Sequence, residues 1–298
     1  MKPSDESSAL MQSIPSEIRI GQVHLRTRDI ARALDFCTRG LGFKIIQQTR
    51  FSASLSTTGR EPALIVFTED PTATPPAPRT TGLYHFALRY PTRRDLAEAL
   101  LRLAEARYGI DGASDHIVSE AIYLRDPDQN GVELYVDRPR NQWVWRDGQV
   151  QMSTETLDLD NLLTTVDGHR DLSKISPLVN IGHIHLHVAD LKEAERFYHD
   201  FLGLAVTQRS YPGALFFSAG GYHHHIATNT WAGGTKPPDK SVGLISYRLE
   251  YLETDIPLAL SRRAKLAGYA SVVSESPRKG FVKFQDPSGK WLEVTPSL

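Results

Sequence analysis

One cysteine in 298 residues, Cys37, leaves no internal disulfide to form and fits a chain made in a reducing compartment. No run approaches the roughly 18 apolar residues that a membrane helix needs, so no span is expected. The opening stretch MKPSDESSALMQSIPSEIRIG lacks the apolar core of a secretion signal, and the cytoplasm is the expected location. An excess of either charge is missing too. The 34 basic residues face 35 acidic ones, which predicts neither a nucleic-acid partner nor a membrane surface. No glycine-rich dinucleotide fingerprint is present, which argues against a nicotinamide or flavin cofactor. What is left, 40% hydrophobic and 23% charged, is an ordinary globular composition with length enough for two cores.

The chain repeats itself. IGQVHLRTRDIARALDFCTRGLGF from Ile20 aligns with IGHIHLHVADLKEAERFYHDFLGL from Ile181, pairing His24 with His185 and Asp29 with Asp190 at an offset of 161. GLYHFALRY from Gly82 meets GLISYRLEY from Gly243, and Glu133 meets Glu293 at an offset of 160. This predicts a tail over 1–17, a first domain over 18–137, a connector over 138–179 and a second domain over 180–298. The connector carries two tryptophans and should pack against a domain. Each half divides again. Residues 20–27 alternate as a strand, Asp29 is a helix N-cap, and Ile30, Ala33, Leu34 and Cys37 fall on one helical stripe. Three strands follow. Thr92, with Asp95 three residues on, then caps a second helix, and more strands come after it. The expected fold is α+β: four βαβββ units paired into two tandem domains, each a curved mixed sheet with helices outside.

The densest chemistry lies in SDHIVSEAIYLRDPDQNGVE, residues 114–133. Ala121 to Leu124 reads as a strand, Asp126 to Gly131 as a turn and Val132 to Val136 as a second strand. Alternation puts Glu133 on one face and the apolar Val132, Leu134 and Val136 on the other. A carboxylate on a core strand needs a partner, an arginine or a metal. In residues 20–27 the apolar Val23 and Leu25 should face the helix, leaving His24 on the inner face, and His85 is placed likewise. His24, His85 and Glu133 thus begin or end βαβββ units. Two imidazoles and a carboxylate are the ligand set of non-haem Fe(II) sites with open coordination positions.

These residues resemble the vicinal oxygen chelate superfamily, which includes extradiol ring-cleaving dioxygenases, glyoxalase I and antibiotic-resistance proteins. The resemblance covers roughly residues 18–137 and 180–296. His116, Ile122-Tyr123, Asp126-Pro127 and Glu133 fit the extradiol signature in order and spacing, with Ser114 and Gln129 departing from it. The whole most resembles two-domain, catechol 2,3-dioxygenase-like proteins of bacteria. The resemblance implies His24, His85 and Glu133 as metal ligands and His116 and Tyr123 as catalytic groups. It implies Fe(II), or Mn(II), as the ion, a small aromatic diol and O2 as substrates, and no external reductant. A further active-site histidine that these enzymes carry has no counterpart in ALIVFTEDPTA.

The second half keeps the fold signals, but Ser246 stands where His85 does and Lys283 where Tyr123 does. His183, His185 and His187 alternate down one strand, and His223, His224 and His225 open another. His185, His225 and Glu293 form a candidate second ligand set, against the alternative of a hydrogen-bonded polar cleft floor. Two other functions stay open: a glyoxalase-type isomerase or lyase with a further ligand from Gln22 or Val66 to Glu69, and a non-catalytic binder of aromatics. Self-association is also open.

Overall fold

The computed structural model describes residues 18–166, 168, 171–251, 256–274 and 280–296. The expected tail over 1–17 lies outside them. Four units of like order follow one another. The first has β1 (Ile18–Thr27), α1 (Ile30–Asp35), β2 (Lys44–Gln48), β3 (Ser52–Ser56) and β4 (Ile65–Glu69). The second has β5 (Gly82–Tyr90), α2 (Arg93–Glu105), β6 (Gly112–Asp115), β7 (Ser119–Arg125) and β8 (Gly131–Asp137). The connector contributes short strands β9 (Trp145–Arg146), β10 (Gln149–Val150) and β11 (Glu155–Thr156), and helix α3 (Leu159–Leu163). The third unit has β12 (Asn180–His187), α4 (Leu191–Glu195), β13 (Ala205–Gln208), β14 (Ala214–Ser218) and β15 (Ile226–Asn229). The fourth has β16 (Gly243–Tyr251), α5 (Ile256–Ala267), β17 (Ser271–Ser274), β18 (Phe281–Gln285) and β19 (Trp291–Pro296). Among the described residues, no helix is long and apolar enough to cross a membrane.

Local chemistry sets the elements. The Asp29 carboxylate accepts from the Arg32 N–H at 3.0 Å and opens α1. The Thr92 hydroxyl accepts from the Asp95 N–H at 3.1 Å and opens α2. Such caps satisfy helix donors that have no partner within the helix. The stripe Ile30, Ala33, Leu34 and Cys37 is buried, as are Val23 and Leu25 on the strand facing it. The first and third units share an idiosyncrasy. α1 runs into a π-helical turn over Phe36–Gly40, and α4 does the same over Arg196–Phe201. Each is followed by a glycine in the left-handed region, Gly42 and Gly203, a position that costs glycine little.

Within each unit the first strand runs parallel to the last, β1 to β4, β5 to β8, β12 to β15 and β16 to β19. The units are then joined by their first strands, and the pairing is an exchange between halves. β1 pairs antiparallel with β16, setting His24 opposite Ser246. β5 pairs antiparallel with β12, setting His85 opposite His185 and Ala87 opposite His183. One set of eight strands therefore comes from units one and four, the other from units two and three, with a bridge from Ile20 to Ile181 linking them. The connector lies on the second set. Its Trp143 is buried in a small cluster with Val118, Val150 and Tyr222, while Trp145 stays exposed. β11 adds to the edge of β6.

Candidate metal centre

The exchange decides which histidines meet. β8 carries Glu133 inward beside β5, and β12 brings His183 across from the other half. Two glycines let the backbones close at this point. A Cβ on Gly131 would lie 2.1 Å from the Tyr84 carbonyl oxygen, and one on Gly182 would lie 1.7 Å from the Tyr135 hydroxyl. The Asp126 carboxylate holds the turn before β8, accepting from the Asp128 and Asn130 N–H groups at 2.9 and 2.8 Å. Gln129, one of the positions departing from the extradiol signature, takes a left-handed conformation there, with φ of 69°.

Glu133 Oε2 is 2.9 Å from His85 Nε2 and 3.1 Å from His183 Nε2, and the two ring nitrogens are 3.3 Å apart. All three residues are buried. Burial works to raise the Glu133 carboxyl, but the facing imidazoles of His183 and His85 outweigh it and hold the group well below its usual range. Burial takes His183 down to about 4, against the pull of Glu133. The set is thus a carboxylate with a neutral imidazole at His183, the protonation a cation requires. Ligands about 2.1 Å from an octahedral ion are about 3.0 Å apart when adjacent and about 4.2 Å when opposite. Each observed separation fits adjacency. The residues form a His/His/Glu metal-binding triad on one face, compatible with Fe(II) or Mn(II).

His85 and Glu133 are therefore brought together, but His24 is not with them. Its Nε2 is 2.8 Å from the Thr68 hydroxyl on the neighbouring β4, in the sheet of units one and four. Burial, then Lys283 and Arg26, lowers its pKa. The carboxylate of that sheet, Glu293, is held by Lys283 at 2.8 Å and Arg248 at 2.9 Å. An ammonium and a guanidinium already supply positive charge there. The second expected set is likewise dispersed. His185 Nε2 accepts from the Asn229 side chain at 2.9 Å, and His225 Nδ1 lies 2.9 Å from the Ser218 hydroxyl. Glu293 stands in the other sheet. The further ligands considered for an isomerase are also elsewhere: Gln22 donates to the Ala63 carbonyl, and Glu69 accepts from the Ile30 N–H.

The triad opens onto a cavity of about 280 Å³ walled by Tyr84, Val118, Met152, Tyr211, Phe216 and Trp231. His116 and Tyr123 line it as well, their Nε2 and hydroxyl oxygen 2.7 Å apart. His116 Nδ1 is 2.7 Å from the Ser153 carbonyl, which can only accept, so Nδ1 carries the proton. The connector thereby orients a side chain of the site. Burial and the Glu133 charge push the Tyr123 phenol well above its usual range, so it stays protonated. His224, from the β14–β15 loop, also reaches the cavity, its ring centroid 4.1 Å from that of His183. It comes from the third unit, whereas residues 63–73 hold no histidine.

Sequence reasoning missed His183 as the third ligand because the repeat aligns His24 with His185, two residues along the same strand face. The signal for it was the triple alternation His183, His185, His187, which marked β12 as a polar inward strand.

Paired βαβββ units with a His/His/Glu triad on the strands of units two and three define a metalloenzyme of the vicinal oxygen chelate class. The profile of the Glyoxalase/Bleomycin resistance protein/Dioxygenase superfamily matches residues 19–134 and 180–294, and the chain belongs to that family. It is 42% identical over 272 residues to a catechol-2,3-dioxygenase of Bacillus subtilis (strain 168), covering 89% of this chain and 94% of the relative. A crystal structure of a candidate dioxygenase from Bacillus subtilis superposes with a TM-score of 0.64 at 12% identity, covering 95% of this chain and 86% of the other. Glyoxalase I from Zea mays superposes with a TM-score of 0.57 at 14% identity, covering 94% and 92%. These two share the fold.

Proposed function

We propose that the protein is a metal-dependent extradiol dioxygenase of the catechol 2,3-dioxygenase type, with Fe(II) held by His85, Glu133 and His183. The observation that carries this is the triangle of ligand atoms 2.9 to 3.3 Å apart, opening onto a cavity that also presents His116 and Tyr123. The extent of the likeness to the Bacillus subtilis enzyme supports the same reading. Iron with three protein ligands on one face supplies adjacent open positions for a chelating catechol and O2, and passes charge between them. The chain's own groups do the rest. The aromatic walls clamp a flat ring. The Tyr123 hydroxyl donates to His116 Nε2, and His116 is fixed through Nδ1–H by the Ser153 carbonyl, so the two face the cavity as a coupled pair for proton transfer. Among the described lining residues none is Lys or Arg, and the cavity is at the small end for ligand clefts. Both favour a single-ring catechol without a carboxylate.

The test is anaerobic purification, metal analysis, and oxygen uptake on a panel of catechols without added NADH. The expected result is about one iron per chain and uptake that chelation abolishes. Manganese in its place would change the ion assigned. Full turnover at a metal content confirmed as zero would overturn the reading. Tyr123→Phe should keep the metal and lose about 10²–10³ in rate, the usual effect of removing one charge-stabilising donor.

A further inference from the structure

A second cavity, of about 250 Å³, lies where the two halves meet and shares no lining residue with the cavity of the triad. The connection from β4 to β5 and that from β15 to β16 run side by side there, Thr74 bridging to Ser241 and Thr80 to Thr235. The Thr74 N–H donates to the Lys240 carbonyl and the Thr81 N–H to the Thr235 carbonyl, both at 2.9 Å. The turns before β8 and β19 complete the walls with Asn130 and Lys290, which are equivalent in the repeat at an offset of 160. A Cβ on Gly243 would lie 3.2 Å from Asn130 Oδ1, and one on Gly82 would lie 3.1 Å from Lys290 Cε. Each side chain thus reaches across to the other half.

The equivalence ends at charge. The Asn130 amide donates to the Asp126 carboxylate at 2.7 Å and is satisfied. The half-buried Lys290 ammonium has no hydrogen-bond or ion-pair partner among the described residues. Asp286, the counterpart of Asp126, is taken up instead by Ser288 and the hydroxyls of Tyr198 and Tyr247. Burial lowers the Lys290 pKa, Asp286 opposes this, and the nearby charges of Arg26 and Lys236 add to it. The Arg79 guanidinium on the cavity wall is likewise without a partner among the described residues. Its backbone holds φ of 60°, a region that residues other than glycine seldom take. Arg125 is a third cation of the wall, shared with Asp111 at 3.1 Å. Ser241 is only 7% exposed, yet its hydroxyl makes no hydrogen bond among the described residues. Its carbonyl accepts from Arg26 and its N–H donates to the Pro238 carbonyl, both at 3.1 Å, so its place is fixed. Among the described lining residues none is Asp or Glu. Buried donors left unpaired are costly, and an oxyanion with several acceptor oxygens meets all of these at once. We propose that this cavity is a binding site for a small doubly charged oxyanion, a phosphate or a short dicarboxylate, held by Lys290 and Arg79 with a hydrogen bond from Ser241 and Arg125 at its rim. Two cations without partners match two negative charges. The ligands come from both halves, so the bound anion also ties the halves together.

The test is calorimetric titration of the full-length protein with inorganic phosphate and, separately, with succinate, at an ionic strength held constant with NaCl. The expected result is saturable binding of about one anion per chain with Kd of about 1 mM or tighter, and a rise in Tm with anion concentration. Saturation by phosphate alone assigns a phosphoryl group and by succinate alone a dicarboxylate; either supports the site. Lys290→Gln and Arg79→Gln should each weaken binding by about tenfold or more, the usual effect of losing a hydrogen bond from a charged donor. Arg146→Gln, at an exposed arginine of the connector, should leave the isotherm within about twofold, because a distant surface charge is screened by salt. Glu133→Gln should leave it unchanged, which separates this site from the metal and from the dioxygenase reading. No saturable binding of either anion by the parent protein would overturn the proposal, whatever the variants do. So would an isotherm unaltered in Arg79→Gln, an equal loss in Arg146→Gln, or a loss in Glu133→Gln. Arg79 is exposed, so that variant decides the matter even where Lys290→Gln does not fold.

Discussion

Glu133 is shared by two imidazoles from different repeat units, and its charge ties β8 to β12. Glu293, its counterpart 160 residues on, is shared by Lys283 and Arg248. The same carboxylate at the same place in two units therefore faces two imidazoles in one sheet and built-in cations in the other. Glu133→Gln keeps the size and removes the charge. It should reduce bound metal to less than about a tenth and abolish turnover, because the carboxylate is the only anionic ligand of the set. Glu293→Gln should hold both within a few fold. Metal analysis and oxygen uptake on the two variants decide it, and a lethal Glu293 change would return the site to the other sheet. At this scale the sequence made Glu133, His85, His116 and Tyr123 legible, since their spacing is set by one unit's own strands. His183 was hidden among three inward histidines on one strand. Which of them reaches Glu133 depends on the register of β12 against β5, and no residue pattern within a single half contains that register.

Strands β12 and β15 and the loop before β15 gather five buried histidines, His183, His185, His223, His224 and His225. Burial lowers His225 to about 3 and takes His185 and His224 well below their ordinary value, neighbouring imidazoles adding to the effect. In the unfolded chain these rings take up a proton near pH 6.5. In the folded chain they do not. Stability from this source is therefore complete above pH 6.5 and is lost as pH falls, down to about 3 for His225. At pH 5.5 a single such histidine costs about 1.4 kcal/mol. Urea unfolding of chelated protein should show a clear drop in midpoint from pH 7.5 to 5.5, and His225→Asn should flatten part of it. A midpoint that does not move would show that these rings are already protonated in the fold. The strands, caps and helix stripes of these elements were readable from periodicity, because each is fixed by neighbours in sequence. The π-helical turns ending α1 and α4 were not, since the stripe leading into them looks like ordinary helix.

At the scale of the whole molecule, the duplication was plain in the sequence, but the partner of each unit was not. The first strands of all four units each carry apolar residues on one face, so the residue pattern alone does not choose between pairing one with two and one with four. The observed exchange makes each set of eight strands depend on both halves. Separated at residue 178, the fragment 1–178 would hold His85 and Glu133 without His183, and 179–298 the reverse. Each would also expose two unpaired first strands, β1 and β5 in one and β12 and β16 in the other, edges that invite association. Neither fragment alone should bind metal stoichiometrically or consume oxygen with a catechol. Mixing them during refolding should restore both, with a yield that rises with fragment concentration, because the triad is assembled by the antiparallel pairing of β5 with β12. The measurement is metal content and oxygen uptake of each fragment and of the equimolar mixture. A fragment 1–178 that held one metal and turned over by itself would mean that units one and two can pair directly, with His24 as the third ligand.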